Sequence, residues 1–491
     1  MSLAGAALLG VGTALGQAPF GLWWLSLAAL CVLTGLIAAE GRGPHRLWLG
    51  WVAGVGYFTL SLFWIVEPFL IEPDIFGWMA PFALFFMCAG MALFWLFATL
   101  VAGLGRTSMG RAVGFALGLT LSDLARGYVL TGFPWALIGH IWIDTPVAQA
   151  AALVGPVGLS LLATGSAALP VLARAALPRL ALAAAACAIL GGAWALGDAR
   201  LLESVPERQP PVHVRLVQPD ADQALKWQGD MWRIFLERQI ALTAEPASSP
   251  LDLVIWPETA VPYLLGETGP LFQQMVAASG GVPIVTGIQR ADGLRYFNSL
   301  IAIDGAGEVT ALHDKSHLVP FGEYIPFGDL LVPLGIRAFA AQEGFGYTGG
   351  ANIRVLDLGR AGRVLPLICY EAIFPQDLIN AEGQADWILQ ITNDGWFGDI
   401  SGPYQHLAQT RLRAIEQGLP VLRVANTGVS AVIDASGRVL DSLPLNTQGR
   451  LDAVVPPARP RPLYAQTGDL PVALLLLAGL VVLLRRRRFA D

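Results

Sequence analysis

Residues 363–371 read R-V-L-P-L-I-C-Y-E, a short apolar run that ends on a cysteine and is followed by an acidic residue. Such a run, bounded by Gly362 on one side and polar residues on the other, predicts a β-strand. The same kind of run recurs on both sides of it: VHVRLVQ (212–218), LDLVIW (251–256), VPIVTGI (282–288), FNSLIAID (297–304), VTALHD (309–314), DWILQIT (386–392), VLRVAN (421–426) and SAVIDASG (430–437). Amphipathic stretches near 230–245, 269–279 and 404–418 read as helices between them, so residues 205–460 are expected to form an α/β domain. No P-loop is present, which removes one of the usual nucleotide signatures.

Three reactive side chains stand just after predicted strands: Glu258 after LVIWP, Lys315 after VTALHD, and Cys369 closing VLPLIC. Strand ends of open α/β sheets are where crevices form. A free thiol has a pKa near 8.5 and is mostly protonated at neutral pH, so a nucleophilic Cys369 needs a base. Glu258 can take the proton, while Lys315 can favour the thiolate and then hold charge developing on a carbonyl oxygen. The backbone N–H of Tyr370 is a candidate second donor to that oxygen. Taken singly, each residue has a plainer reading: Cys369 as a core thiol, Glu258 as a turn residue after W-P, Lys315 as a solvated cation beside Asp314. Lysine usage adds weight, because Lys226 and Lys315 are the only two lysines against 29 arginines.

Outside this domain the composition changes. The 491-residue chain is 54% hydrophobic and 14% charged, against about 25% charged for a soluble domain. Residues 1–200 hold roughly fifteen of the charges. Seven apolar segments are expected to span a membrane before residue 200, near 3–18, 20–39, 47–66, 77–104, 112–130, 146–172 and 180–197, and an eighth at 468–484. The first lacks the basic start of a signal peptide and is expected to be retained. Arg42 with Arg46, Arg106 with Arg111, Arg174 with Arg179, and Arg485–Arg488 fall in alternate loops or beyond the last span. The loop with Glu67, Glu72 and Asp74 has no basic residue. Positive loops stay in the cytoplasm, so both termini are expected inside and the α/β domain outside. The domains are therefore expected at 1–200 (seven helices), 205–460 (the α/β domain) and 466–491 (closing helix and Arg-rich tail). Asp123 and Arg126, at i and i+3, read as a structural ion pair or interfacial anchor. Cys31, Cys88 and Cys187 fall in apolar runs and read as packing residues. No Cys/His spacing resembles a zinc site. A net charge of -6, without a basic cluster other than the terminal arginines, argues against nucleic acid as a partner.

The segments W-P-E-T (256–259), D-K-S-H-L-V-P-F-G-E-Y (314–324) and I-C-Y-E (368–371), with R-A-I-E-Q-G (413–418) and A-N-T-G-V-S (425–430), resemble the nitrilase superfamily, and specifically its membrane-bound branch, the apolipoprotein N-acyltransferases. The likeness covers nearly the whole chain. It implies a multi-pass helical domain joined to an α-β-β-α sandwich, with Glu258 as general base, Lys315 as oxyanion stabiliser and Cys369 as nucleophile. It also implies supporting roles for Glu323 beside Lys315, for Tyr370 and Glu371 beside the nucleophile, and for Trp227 (in A-L-K-W) and Asn298 (in Y-F-N-S) in shaping the pocket. The implied reaction moves an acyl chain from a phospholipid, the sn-1 chain of phosphatidylethanolamine in this family, to Cys369. The chain then passes to the α-amine of an S-diacylglyceryl cysteine at the N-terminus of an apolipoprotein. It implies a bacterial inner membrane, a catalytic domain in the periplasm, and neither metal nor organic cofactor. The chain is expected to act as a monomer.

After Lys315 comes an apolar segment with Phe321, Tyr324, Ile325, Phe327, Leu330, Leu331, Leu334, Ile336 and Phe339. It reads either as a lid that dips toward lipid or as packing against membrane helices. Two other functions remain open on the residues: a membrane-anchored amidase with water as final acceptor, and a non-catalytic scaffold or transporter.

Overall fold

The computed structural model describes residues 2–226, 228–328 and 346–488. Trp227 and, from the apolar segment after Lys315, Leu330, Leu331, Leu334, Ile336 and Phe339 lie outside the described residues. The chain divides into two compact units. One comprises Met1–Ser204, Ile400–Glu416 and Arg461–Asp491, the other Val205–Asp399 and Gln417–Pro460.

The first unit is helical. Pro73–Ala102, Pro146–Leu172 and Ala176–Leu202 are each long and apolar enough to cross a bilayer, and Gly43–Ser61 continues through a 67° bend into Phe63–Leu70 as a fourth candidate. Leu3–Ala14, Trp23–Ala39 and Leu470–Arg485 are apolar but shorter. Ser108–Tyr128 has the length but carries Arg111, Asp123 and Arg126. Helices approach closely where small residues meet: a Cβ on Gly118 would fall 2.7 Å from the Ala98 Cα, so only glycine permits that crossing. Asp123 and Arg126 pair at 2.9 Å, both fully buried. Arg126 also donates to the Trp135 and Ala136 carbonyls, and Asp123 accepts from the Ile138 N–H and the Ser160 hydroxyl. Each charge is thus surrounded by partners, as a buried ion pair in an apolar setting requires.

Helix Gly402–Gln417, read from sequence only as an amphipathic helix, belongs almost wholly to this unit. Its Gln405 accepts from the Trp135 indole at 2.6 Å and donates to the Ala18 carbonyl, and its Arg411 pairs with Asp144 at 2.6 Å.

The second unit is α/β. Among the described residues it holds two six-stranded sheets. The first runs β12-β1-β2-β3-β4-β5 and the second β11-β10-β9-β8-β7-β6. The strands of the first are β1 (His213–Gln218), β2 (Leu253–Ile255), β3 (Ile284–Asp292), β4 (Arg295–Ile303), β5 (Val309–Asp314) and β12 (Gly449–Val454). Those of the second are β6 (Leu356–Asp357), β7 (Arg363–Ile368), β8 (Trp387–Thr392), β9 (Val421–Ala425), β10 (Ser430–Ile433) and β11 (Val439–Leu443). In each sheet the central strands are parallel: β1, β2 and β3 in one, and β7, β8 and β9 in the other. The sheets face each other, β1 against β9 and β4 against β7. Strands β8 and β9 are buried at every residue, so their sequences are continuous apolar runs with few polar interruptions. Helices Met231–Ala244 and Leu271–Ala278 cover the outer face of the first sheet. There Leu236, Leu242, Phe272 and Met275 pack on Val254, Trp256, Ile284 and Ile301, each burial contributing roughly 1.5–3 kcal/mol. The expected mixed architecture, a helical apolar region joined to an α/β domain, is the one the chain adopts.

Candidate active site

Both sheets end at one cluster. Glu258 lies three residues beyond β2, in a turn held against β3: the Gly287 N–H donates to the Pro257 carbonyl, and the Gly287 carbonyl accepts from the Ala260 and Val261 N–H groups. Lys315 follows β5 directly, its N–H on the Asn298 carbonyl of β4. Cys369 follows β7 and opens a single 3-10 turn, Cys369–Ile373. Its backbone has φ +50°, a left-handed conformation that costs a non-glycine residue about 1 kcal/mol or more and projects the side chain away from the strand line.

The charged groups form a tight set. The Lys315 ammonium donates to Glu323 Oε1 at 2.8 Å and to Glu258 Oε1 at 3.4 Å. The Asn298 amide bridges the same two carboxylates, donating to Glu258 Oε1 at 2.7 Å and Glu323 Oε1 at 3.1 Å. Acceptors on both sides fix the amide orientation, which leaves Asn298 Oδ1 buried without a partner. Glu323 Oε2 accepts from the Val319 N–H, and Glu258 Oε2 from the Asn393 N–H at the end of β8. The Glu258 carboxylate is therefore gripped from both sheets. Cys369 is buried, and its thiol lies within the fields of Glu258, Lys315 and Asp394 and is hydrogen-bonded with Thr392.

Electrostatics follows from this crowding. Burial raises the Glu258 pKa, Lys315 pulls it down and the like charge of Glu323 pushes it up, leaving it above the ordinary carboxylate range. Burial alone would lower Lys315, but Glu323 and Glu258 outweigh it and hold the ammonium charged. Burial, then Glu258, push the Cys369 thiol well up against the counter-effect of Lys315, so the resting sulfur is protonated. A thiol beside a carboxylate of raised proton affinity and a fixed cation is a combination suited to acyl transfer through sulfur.

Glu371 ties the cysteine turn to the lysine loop. It accepts from the Ile368 N–H (2.7 Å), the Ser316 N–H and hydroxyl (2.7 Å each) and pairs with His313 Nε2 at 3.1 Å. Tyr370 is buried and edge-on to Phe374, with His317 stacked on Phe374 and paired to Asp377 at 2.9 Å. Of the apolar segment after Lys315, Ile325 is buried, while Phe321 and Phe327 are exposed at φ +63° and +56°.

The structure thus brings together Glu258, Lys315, Cys369, Glu323, Asn298, Tyr370 and Glu371. Sequence reasoning missed Asn393, Thr392, His313 and Ser316. Their signals were weak: His313 and Ser316 flank D-K as ordinary polar residues, and Asn393 acts through its backbone N–H, which no residue type announces. Asp394, next to it, forms a fully buried ion pair with Arg423.

The carbon-nitrogen hydrolase family matches residues 213–463, so the second unit is a carbon-nitrogen hydrolase domain. An amidase from Nesterenkonia sp. (18% identity, TM-score 0.37, 56% of this chain and 99% of that one) and a CN-hydrolase superfamily protein from Xanthomonas campestris (21%, TM-score 0.35, 55% and 97%) are among the similar solved structures. The apolipoprotein N-acyltransferase N-terminal domain matches residues 9–169. Apolipoprotein N-acyltransferases of Brucella melitensis (38% identity, 98% of this chain and 96% of that one) and Rhodopseudomonas palustris (37%, 98% and 95%) align from end to end. The chain belongs to the apolipoprotein N-acyltransferase family, a family of membrane-located acyltransferases.

Proposed function

We propose that the protein N-acylates lipoproteins by a two-step transfer through Cys369, with a phospholipid as acyl donor and the α-amine of an N-terminal S-diacylglyceryl cysteine as acceptor. The observation that carries this is the contact of one ammonium with two carboxylates beside a thiol on a left-handed turn. In the first step the Cys369 sulfur bonds to the ester carbonyl carbon as Glu258 takes the thiol proton. Lys315 and the Tyr370 N–H stabilise the oxyanion, and collapse breaks the carbon–oxygen bond. The departing lysophospholipid alkoxide takes the proton from Glu258, leaving a thioester. In the second step the amine nitrogen attacks the thioester as Glu258 takes one of its protons. Collapse expels the Cys369 thiolate, which recovers that proton, and an amide is released. Glu323 and Asn298 hold Lys315 and Glu258 in register, and Glu371 holds the cysteine turn. Every proton that leaves a nucleophile returns to a leaving group, so the cycle needs no further reagent.

The arginine pattern of the loops supports eight membrane spans, both termini in the cytoplasm and the α/β domain on the outer, periplasmic side of a bacterial inner membrane. The near end-to-end likeness to named acyltransferases favours an amine over water as final acceptor. Intact-mass analysis after exposure to phospholipid vesicles tests the proposal. One acyl chain on Cys369, discharged by an S-diacylglyceryl peptide, is the expected result. Turnover of a soluble amide without an acylated intermediate overturns it.

A further inference from the structure

The chain keeps only two lysines, and both are buried beside the same turn. Lys315 contacts the Glu258 carboxylate, as described above. Lys226, 7% exposed, donates from its ammonium to the carbonyl of Thr259 at 2.7 Å and to the Thr259 hydroxyl at 3.3 Å. Thr259 is the residue after Glu258, and its φ of +45° is one that a threonine does not hold without restraint. On the other side the turn lies so close to β3 that a Cβ on Gly287 would come within 2.6 Å of the Glu258 Cα and 2.7 Å of the Pro257 carbonyl oxygen. The base-bearing turn is held between the backbone of β3 and the Lys226 ammonium. We infer that Lys226 is a positioning residue for Glu258, clamping the Thr259 carbonyl so that the carboxylate stays within reach of the Cys369 sulfur; this rests on the reading of Glu258 as general base.

Lys226 lines a cleft whose walls are mostly apolar, Trp232, Phe235, Pro257 and Pro262 among them, with Glu258, Gln239 and Asn426 as its polar lining. Burial lowers its pKa and the charge of Glu258 draws it partly back up, leaving it at about 8. A cation kept in such a place at a desolvation cost calls for a compensating role, and the strained carbonyl it holds supplies one. Its loop is anchored independently of that contact. The Asp220 N–H bonds to the Asn426 carbonyl, Asn426 exchanges two hydrogen bonds with Ala221, and Gln223 accepts from the Asn393 side chain. Removing the ammonium should therefore free the turn while leaving the loop in place.

The test uses the full chain in detergent and follows peptide-resolved alkylation of Cys369 by iodoacetamide at pH 7. Lys226→Met should slow this alkylation tenfold or more, yet slow it less than twofold further when Glu258→Gln is already present, because a residue acting through Glu258 has nothing left to position. A wild-type rate in Lys226→Met, or an equal loss in both backgrounds, overturns the inference. If Lys226→Met does not fold, Lys226→Arg decides: a rate within threefold of wild type supports the clamp, and a loss of tenfold or more overturns it. The two readings separate on Glu258→Gln alone. If it reacts at the wild-type rate, the base assignment falls and the clamp with it; if it is slow while Lys226→Met is not, only the clamp falls.

Discussion

Glu258 and Glu371 are both buried glutamates at strand ends of the same unit, yet their surroundings drive them in opposite directions. Glu371 receives hydrogen bonds from two backbone N–H groups, a hydroxyl and an imidazole. Burial by itself would raise it, but His313 and these donors bring its pKa down to about 2. Glu258 shares one ammonium and one amide with a second carboxylate, and its pKa lies above the ordinary range. Donor count and like-charge proximity, rather than burial, decide which carboxylate is a fixed anion and which holds a proton readily. The fixed anion fastens two loops together, and the other is suited to proton transfer.

The comparison breaks most visibly at the atom both carboxylates serve. Cys369→Ser should abolish detectable acyl-enzyme formation, a loss of about 10³-fold or more, since a serine hydroxyl is far harder to ionise in the same surroundings. Residual acyl-enzyme on Cys369→Ser above a hundredth of wild type would remove the sulfur from the chemistry. Glu258→Gln should follow with a loss of about 10²–10⁴-fold, the usual range for general base catalysis, measured as single-turnover acylation. Lys315→Arg should cost about 10²–10³-fold, because a planar guanidinium cannot occupy the point between Glu258 and Glu323 and still meet a developing oxyanion. Near-normal turnover of Lys315→Arg would mean that only its charge matters.

Much of this contrast was legible in the sequence, for a definite reason. Strands β2 and β7 are central and covered on both faces, so they read as apolar runs, and Glu258 and Cys369 just beyond them stand out; Lys315 follows the edge strand β5 and stands out as one of only two lysines. Strands β11 and β12 were not read, because edge positions leave most of their residues exposed or half-exposed and their composition is that of a polar turn. Two-residue β6 is too short to carry any pattern. Glu323 and Asn298 became candidates only through family likeness, since a glutamate in a loop and an asparagine within a strand have no chemistry of their own until a neighbour is placed beside them. The assignment of helix Gly402–Gln417 to the helical unit rests on side-chain partners such as Trp135 and Asp144, hundreds of residues away in sequence and beyond any local pattern.

Stability sharpens the same comparison. For Glu371 the folded pKa lies below the unfolded value of about 4.5, so its contribution is present in full above pH 4.5 and is lost as pH falls toward 2. Glu371→Gln at pH 7 should therefore destabilise the protein by roughly 3 kcal/mol. The penalty should shrink in thermal unfolding below pH 4. For Glu258 the sign reverses: folding favours the protonated form, so any contribution is favourable at low pH and disappears as pH rises through the folded pKa. Glu258→Gln should leave the melting temperature at pH 7 unchanged or higher while removing activity, the pattern expected where function is held at a cost in stability. A melting temperature lowered as much as that of Glu371→Gln would place both carboxylates in the same structural role.

The smallest effect should be the pH dependence of the wild-type enzyme. Acylation of Cys369 requires Glu258 as a carboxylate, and the raised pKa means that this form is lost at a higher pH than for an ordinary glutamate. The acidic limb of the single-turnover rate should therefore fall with a midpoint above 4.5, while Glu371, held near 2, stays ionised throughout and cannot account for it. Glu323→Gln should move that limb downward, because removing the like charge leaves Lys315 with one carboxylate to stabilise instead of two. Its absolute rate should also drop as the ammonium loses its 2.8 Å partner, so the limb position rather than the rate is the informative quantity. A limb that stays fixed in Glu323→Gln, or moves upward, would mean that solvent exclusion alone sets the proton affinity of Glu258. The contrast with Glu371 would then reduce to the number of donors each carboxylate receives.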